Sequence, residues 1–212
     1  VRSAVGLLAW VTSPFCWNRM VRDAVTVGTN PPPSAPLVSK GEAIVAEDSP
    51  CVLKDTASSS LVLEAYAFTA STNNVVDECS QWLANTMNVV PDEIRGDFYK
   101  RLTFVDDDSF RDLTKHGADI VARIALGEAG TTSSEGGNLW YEELVPPETI
   151  FYSLVFASNS RAGNGGQGSN GSYDYDADLI FEVVRERDQS VLQIGGEASI
   201  GRGFFYVSIP AS

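Results

Sequence analysis

The chain has 212 residues, of which 43% are hydrophobic and 20% charged, with a net charge of −13. That length and balance suit one sizeable domain with a real core. The acidic excess argues against a stand-alone, non-specific nucleic-acid binder, and no apolar run reaches the roughly 18 residues of a membrane-spanning helix.

The 15 cations are 11 Arg and 4 Lys. Arginine suits bidentate phosphate contacts and base stacking better than lysine, so local Arg sites remain compatible with an acidic whole. Three cysteines, Cys16, Cys51 and Cys79, stand apart with no C-x-x-C pair, which reads as buried free thiols in a reducing compartment. The chain begins with Val1 and no basic, apolar leader follows, which points to a start inside a longer polypeptide.

Gly6-Leu7-Leu8-Ala9-Trp10-Val11 has strand-like composition. Ser13-Pro14 reads as an N-cap followed by proline at the first helical position, and the apolar spacing predicts a helix over 14–25. Residues 29–36 form a stiff Pro-rich connector. Strands are expected over 41–47 and 61–69, the second apolar on both faces as an inner strand would be. Cys79, Trp82, Leu83 and Met87 suggest a short helix, and another begins near Pro91.

Leu102-Thr103-Phe104-Val105 reads as a strand. The acidic run Asp106-Asp107-Asp108 then opens a helix, with Gly117 as a left-handed C-cap. A long hairpin follows, rising from Ile120 to Leu126 and returning from Leu139 to Val145 around a polar, Gly-rich tip. Residues 149–156 read as a strand, 158–172 as a flexible Ser/Asn/Gly segment, and 176–187 as an amphipathic helix. Two last strands, 191–194 and 204–207, flank a Gly-rich turn. Strands and helices mix without regular alternation, so the expected class is α+β on an antiparallel sheet.

Four features are chemically suggestive. In Ile194-Gly195-Gly196-Glu197-Ala198-Ser199-Ile200-Gly201-Arg202-Gly203, the glycines Gly195, Gly196, Gly201 and Gly203 let backbone approach a ligand, and Arg202 is placed to clamp a phosphate. The same pattern equally suits a turn between strands. Asp106, Asp107 and Asp108 can hold a divalent cation or cap a helix. Glu142, next to Tyr141 and Glu143, can serve as a base beside an RNA strand or belong to a solvated hairpin face. The only histidine, His116, lies in the last turn of a helix, where a cation suits the dipole. With one His and no C-x-x-C, no residues suggest a tetrahedral zinc site.

Several segments, in order, resemble the backbone subunit of type III-B CRISPR (Cmr) complexes, of the RAMP superfamily. They are Val1-Arg2-Ser3 through Gly6, Ala9-Trp10-Val11-Thr12-Ser13-Pro14, Asp107-Asp108-Ser109-Phe110-Arg111-Asp112-Leu113 and Val121-Ala122-Arg123-Ile124. Leu139-Trp140-Tyr141-Glu142-Glu143 with Pro147-Glu148-Thr149, then Ile194-Gly195-Gly196-Glu197 with Ile200-Gly201-Arg202-Gly203, complete the set.

The resemblance implies a single ferredoxin-like (RRM-like) RAMP core, with the hairpin 124–145 as an inserted thumb. It implies a cytoplasmic effector in which copies stack along a guide RNA beside other Cmr subunits and cut target RNA with Mg²⁺ or Mn²⁺. Guide contacts then fall on Gly195, Gly196, Gly201, Arg202, Gly203, Arg123 and Arg2, with Glu142 in a supporting role in cleavage. The family's essential Asp and its first strand lie upstream of anything matching Val1, so the domain is expected to be incomplete within these residues. A non-cleaving structural RAMP subunit, or an unrelated acidic interaction domain, is the alternative.

Overall fold

A computed structural model describes residues 1–55, 58–125, 139–159 and 176–210. Its centre is a six-stranded sheet in the order β1-β6-β2-β5-β4-β3, formed by β1 (Trp10–Thr12), β2 (Glu42–Val45), β3 (Val52–Lys54), β4 (Ser59–Leu63), β5 (Tyr66–Thr72) and β6 (Leu102–Val105). The expected antiparallel sheet is in fact mixed: β1 runs parallel to β6 and β2 parallel to β5, while the other pairs are antiparallel.

Two adjoining inner strands, β6 and β2, explain the architecture. Every residue of β6 and the last three of β2 are buried, because side chains alternate between two covered faces. Ile44 and Phe104 point into one core with Trp17, Val76, Trp82 and Phe98. Ala43, Val45 and Val105 point into the other with Leu61, Leu63, Phe68 and Leu113.

The first core is closed by α1 (Pro14–Thr26), α2 (Asn74–Gln81) with a π turn over Trp82–Thr86, and α3 (Asp92–Arg101). Edge-on ring pairs, Trp17 with Phe104 at 5.3 Å and Trp10 with Phe98 at 5.1 Å, join helices to strands. The second core is closed by α4 (Asp107–His116) through Phe110 and Leu113.

Helix starts follow the expected capping chemistry. The Ser13 hydroxyl accepts from Cys16 N–H, and Pro14 opens α1. Asp106 caps α4 by accepting from Ser109 N–H. Gly117 does follow α4, but with φ −93° it is not left-handed. An added Cβ there would meet the Leu113 carbonyl oxygen at 2.5 Å, so close approach explains this glycine.

Three strand expectations are corrected. Residues 61–69 are not one strand but the turn of a β4–β5 hairpin: Leu63 pairs with Tyr66, and Glu64 takes φ 51° at the bend. Alternation of apolar residues continued through the turn, which hid it. In 6–11, only Trp10 and Val11 enter a strand, because Gly6 and Leu7 take left-handed φ values of 78° and 74°. Residues 149–156 have strand composition but form no strand, since composition supplies no hydrogen-bonding edge to pair with.

Beyond the sheet lie two separate ribbons, β7 (Asp119–Ile124) with β8 (Leu139–Leu144), and β9 (Ser190–Gln193) with β10 (Phe204–Val207). The amphipathic helix α5 (Ala177–Arg185) precedes β9. Polar ties reach back to the sheet domain: Tyr152 donates to Asp23 at 3.0 Å, Trp10 Nε1 donates to the Glu148 carbonyl at 3.1 Å, and Ser208 donates to the Met87 carbonyl at 2.5 Å. The Gly-rich tip at 126–138 and most of 158–172 fall outside the described residues.

Candidate nucleic-acid interface

The β7–β8 hairpin and the β9–β10 loop meet through charged side chains. Arg123, on β7, donates from Nε to Glu142 Oε2 at 3.1 Å and from Nη2 to Glu197 Oε1. Arg202, just before β10, donates from Nη1 to Glu197 Oε2 and stands 3.7 Å from Glu142 Oε2. Trp140 Nε1 donates to the other Glu142 oxygen at 2.9 Å. Each of these four ion-paired side chains is roughly 30% exposed, so the cluster sits at the surface rather than in a core.

Cross-strand register makes this possible. Val121 pairs with Glu142 and Arg123 with Trp140, so Arg123, Trp140 and Glu142 are neighbours on adjoining arms. The loop supplies the rest. Glu197 takes φ 62° at the start of a 3₁₀ turn over Ala198–Ile200, and its carbonyl accepts from Ile200 and Arg202 N–H at 3.1 and 3.3 Å. That turn aims both Glu197 and Arg202 at the hairpin.

The four glycines have different causes. Gly195, Gly201 and Gly203 take φ of 97°, 82° and 72°, which glycine tolerates best. Gly203 is also packed, since an added Cβ would meet the Ile194 carbonyl oxygen at 2.5 Å. Gly196 has ordinary φ, and an added Cβ beside it would meet nothing within 4 Å. The turn explanation therefore accounts for three glycines, and Gly196 alone has no intramolecular reason. Space is open beside Gly195, Gly196 and Gly201, where an added Cβ would meet nothing within 4 Å.

The remaining expected residues lie elsewhere. Arg2 donates through Nε and Nη2 to Glu64, at 2.9 to 3.1 Å, so the N-terminal arginine is held against the β4–β5 turn. The three aspartates are structural: Asp106 accepts from Ser109 and Gly41, Asp107 accepts from Phe15 N–H at 2.9 Å, and Asp108 pairs with Arg111. His116 ends α4 with Lys115, at the end of the helix where a cation belongs. Cys51 and Cys79 are buried free thiols, and burial pushes Cys79 up to about 12.

Neither set of acids fits a divalent cation. The hydrogen bond from Trp140, with Arg123 and Arg202 nearby, holds the Glu142 carboxyl below its usual range, so it is a weak base. Guanidinium groups already neutralise Glu142 and Glu197 and would repel a metal ion. Among the described residues, no group of three or more His, Cys, Asp or Glu side chains is placed to hold one.

Sequence reasoning missed Glu197 and Trp140. Glu197 lies inside the Gly-rich segment, but its partner Arg123 is 74 residues away, and only the fold brings them together. A groove of about 380 Å³ along α1, lined by Phe15, Asn18, Arg19 and Arg22, was also not anticipated.

The fold is shared with subunits of CRISPR Cmr assemblies. The crystal structure of oligomeric Cmr4 from Pyrococcus furiosus superimposes with TM-score 0.62 at 24% identity, covering 98% of this chain and 67% of that one. A cryo-EM structure of the type III-B Cmr-beta complex bound to cognate target RNA contains a chain matched with TM-score 0.58 at 18% identity, covering 94% of this chain and 60% of that one. By sequence the chain is similar to the Pyrococcus furiosus protein described as CRISPR system Cmr endoribonuclease Cmr4, with 33% identity over 215 positions, 99% of its length. It spans 64% of that curated relative's length. No family model matches it.

Proposed function

We propose that this chain is the RNA-binding part of a backbone subunit in a type III-B CRISPR effector. In this reading it holds guide RNA, stacks with copies of itself beside other Cmr subunits in the cytoplasm, and belongs to an assembly that cleaves target RNA with Mg²⁺ or Mn²⁺. The observation that carries the reading is the junction of hairpin and Gly-rich loop, where Arg123 and Arg202 converge beside open backbone, in a chain similar to Cmr4.

The chemistry is suited to a sequence-blind grip. Arginine forks and glycine backbone recognise phosphate and shape, while base pairing reads the sequence. Gly195, Gly196, Gly201, Gly203, Arg202 and Arg123 form the contact surface, and Arg2 belongs to a separate point at the β4–β5 turn. Glu142 is a positioning residue that holds Arg123 and Arg202, since its depressed pKa ill suits proton abstraction. This engagement favours a structural, non-cleaving share of the work for these residues.

The same reading takes the sheet domain as the ferredoxin-like RAMP core and the hairpin 124–145 as the thumb. The exposed apolar side chains Ile120, Tyr141, Val191 and Phe204 on the two ribbons support stacking against further copies.

Extraction and sequencing of RNA co-purified with the natural complex tests the class. Short RNAs sharing one 5′ tag are expected, and an RNA-free complex would sink the reading. Replacing Arg202 by Ala should weaken guide retention on filters several-fold, as loss of a charge-assisted phosphate contact does. Unchanged retention removes Arg202 from the site.

A further inference from the structure

We propose that Glu197 is a built-in stand-in for an RNA phosphate, occupying the Arg123–Arg202 pair until a strand displaces it. The inference rests on the RNA-binding reading of this junction and adds a regulation of it.

Two guanidinium groups from distant parts of the chain converge on this one carboxylate, Arg123 on Oε1 and Arg202 on Oε2. A carboxylate and a phosphodiester both offer paired oxygens to a guanidinium fork, so whatever receives one receives the other. Glu197 reaches this place from a left-handed backbone position, φ 62°, rare for a residue with a side chain. Such conformations persist where the surroundings fix them. Here the fixing contacts are the two arginines and the turn bonds to Ile200 and Arg202.

Exchange is physically open. The cluster is part-exposed to about the same degree on all its members, and a Cβ added at Gly195, Gly196 or Gly201 would meet nothing within 4 Å. Glu142 keeps its own hold on Arg123 and stays near Arg202, so the guanidinium groups remain in place when Glu197 leaves. The charge is conserved as well: one anion replaces another against the same cations. In a chain with net charge −13, an occupied arginine pair also discourages binding of stray single anions.

The test compares the wild-type chain, Glu197→Gln, Arg202→Ala and the remote control Glu93→Gln by fluorescence anisotropy with a short labelled single-stranded RNA. Glu197→Gln should bind about threefold to tenfold more tightly than the control, because it no longer competes. Binding equal to or weaker than the control, with Arg202→Ala also weakened, overturns the stand-in and leaves the RNA site intact. RNA binding that ignores Arg202→Ala removes the RNA reading instead.

A second measurement decides the contact without RNA. Phenylglyoxal should modify Arg123 and Arg202 slowly in the wild type and several-fold faster in Glu197→Gln, read by mass spectrometry, with the Glu93→Gln rates unchanged. Equal rates in the wild type and Glu197→Gln overturn the proposal.

Discussion

The two halves of the chain are stabilised differently. Among the described residues, every buried hydrophobic side chain lies at or before Leu113, packed on the two faces of one sheet. From Asp119 onward the structure offers two-stranded ribbons, a short helix and large exposed apolar groups such as Ile120, Phe151, Phe156 and Phe204. A lone two-stranded ribbon is marginal in water, so the second half is held by side-chain ties to its surroundings. A rigid platform carrying an adaptable surface is a sensible division of labour under the proposed RNA-binding role.

The largest expected effect lies in the platform. Phe104→Ala, at a fully buried position between Trp17 and the rest of the first core, should cost about 3–5 kcal/mol in a urea melt. A loss below about 1 kcal/mol would break the comparison, because it would mean the sheet core is not what holds the chain together.

A smaller loss is expected at the α4 cap. Asp106→Ala should cost about 1 kcal/mol, since its carboxylate serves Ser109 and ties Gly41 to the helix. Burial opposes ionisation of Asp106, but the hydrogen bonds from Ser109, Gly41 and Asp108 outweigh it and leave its pKa lowered. A depressed folded pKa means that its contribution is present above the unfolded carboxylate range and is lost as pH falls through the folded value. The difference between wild type and Asp106→Asn should therefore shrink as melts are taken from about pH 5 to below pH 4. A difference that stays constant across that window would show that the ionised form adds nothing.

The smallest effect belongs to the ribbons. Ile120→Ser, at a position 66% exposed, should change stability by no more than about 0.5 kcal/mol in the isolated chain. A loss comparable to that of Phe104→Ala would erase the distinction between the halves.

Much of the platform was legible. The Ser13-Pro14 cap, the helix from 14, the strand 102–105 and the acidic helix start all follow from local chemistry, and local chemistry holds wherever tertiary contacts agree with it. The β4–β5 turn at Glu64 was not legible, because no Gly, Asn or Pro marks it and its left-handed residue instead faces Arg2. Residues 149–156 misled in the opposite way, offering strand composition where no edge receives them. At the candidate site, the Gly-rich loop and Arg202 stood out from spacing. Glu142 stood out as well, though as a base rather than as a partner of the arginines, whereas Glu197 did not, since Arg123 lies 74 residues away along the chain.

Local sequence by itself determined the caps, most helices, the buried strand β6 and the similarity to Cmr4, because each depends on neighbours in the chain or on residue identity in order. Tertiary structure alone decided the mixed sheet order and the meeting of Arg123 with Glu197. Strand pairing and ion pairing are set by which surfaces fold against one another, and a separation of 74 residues leaves no local trace of that encounter.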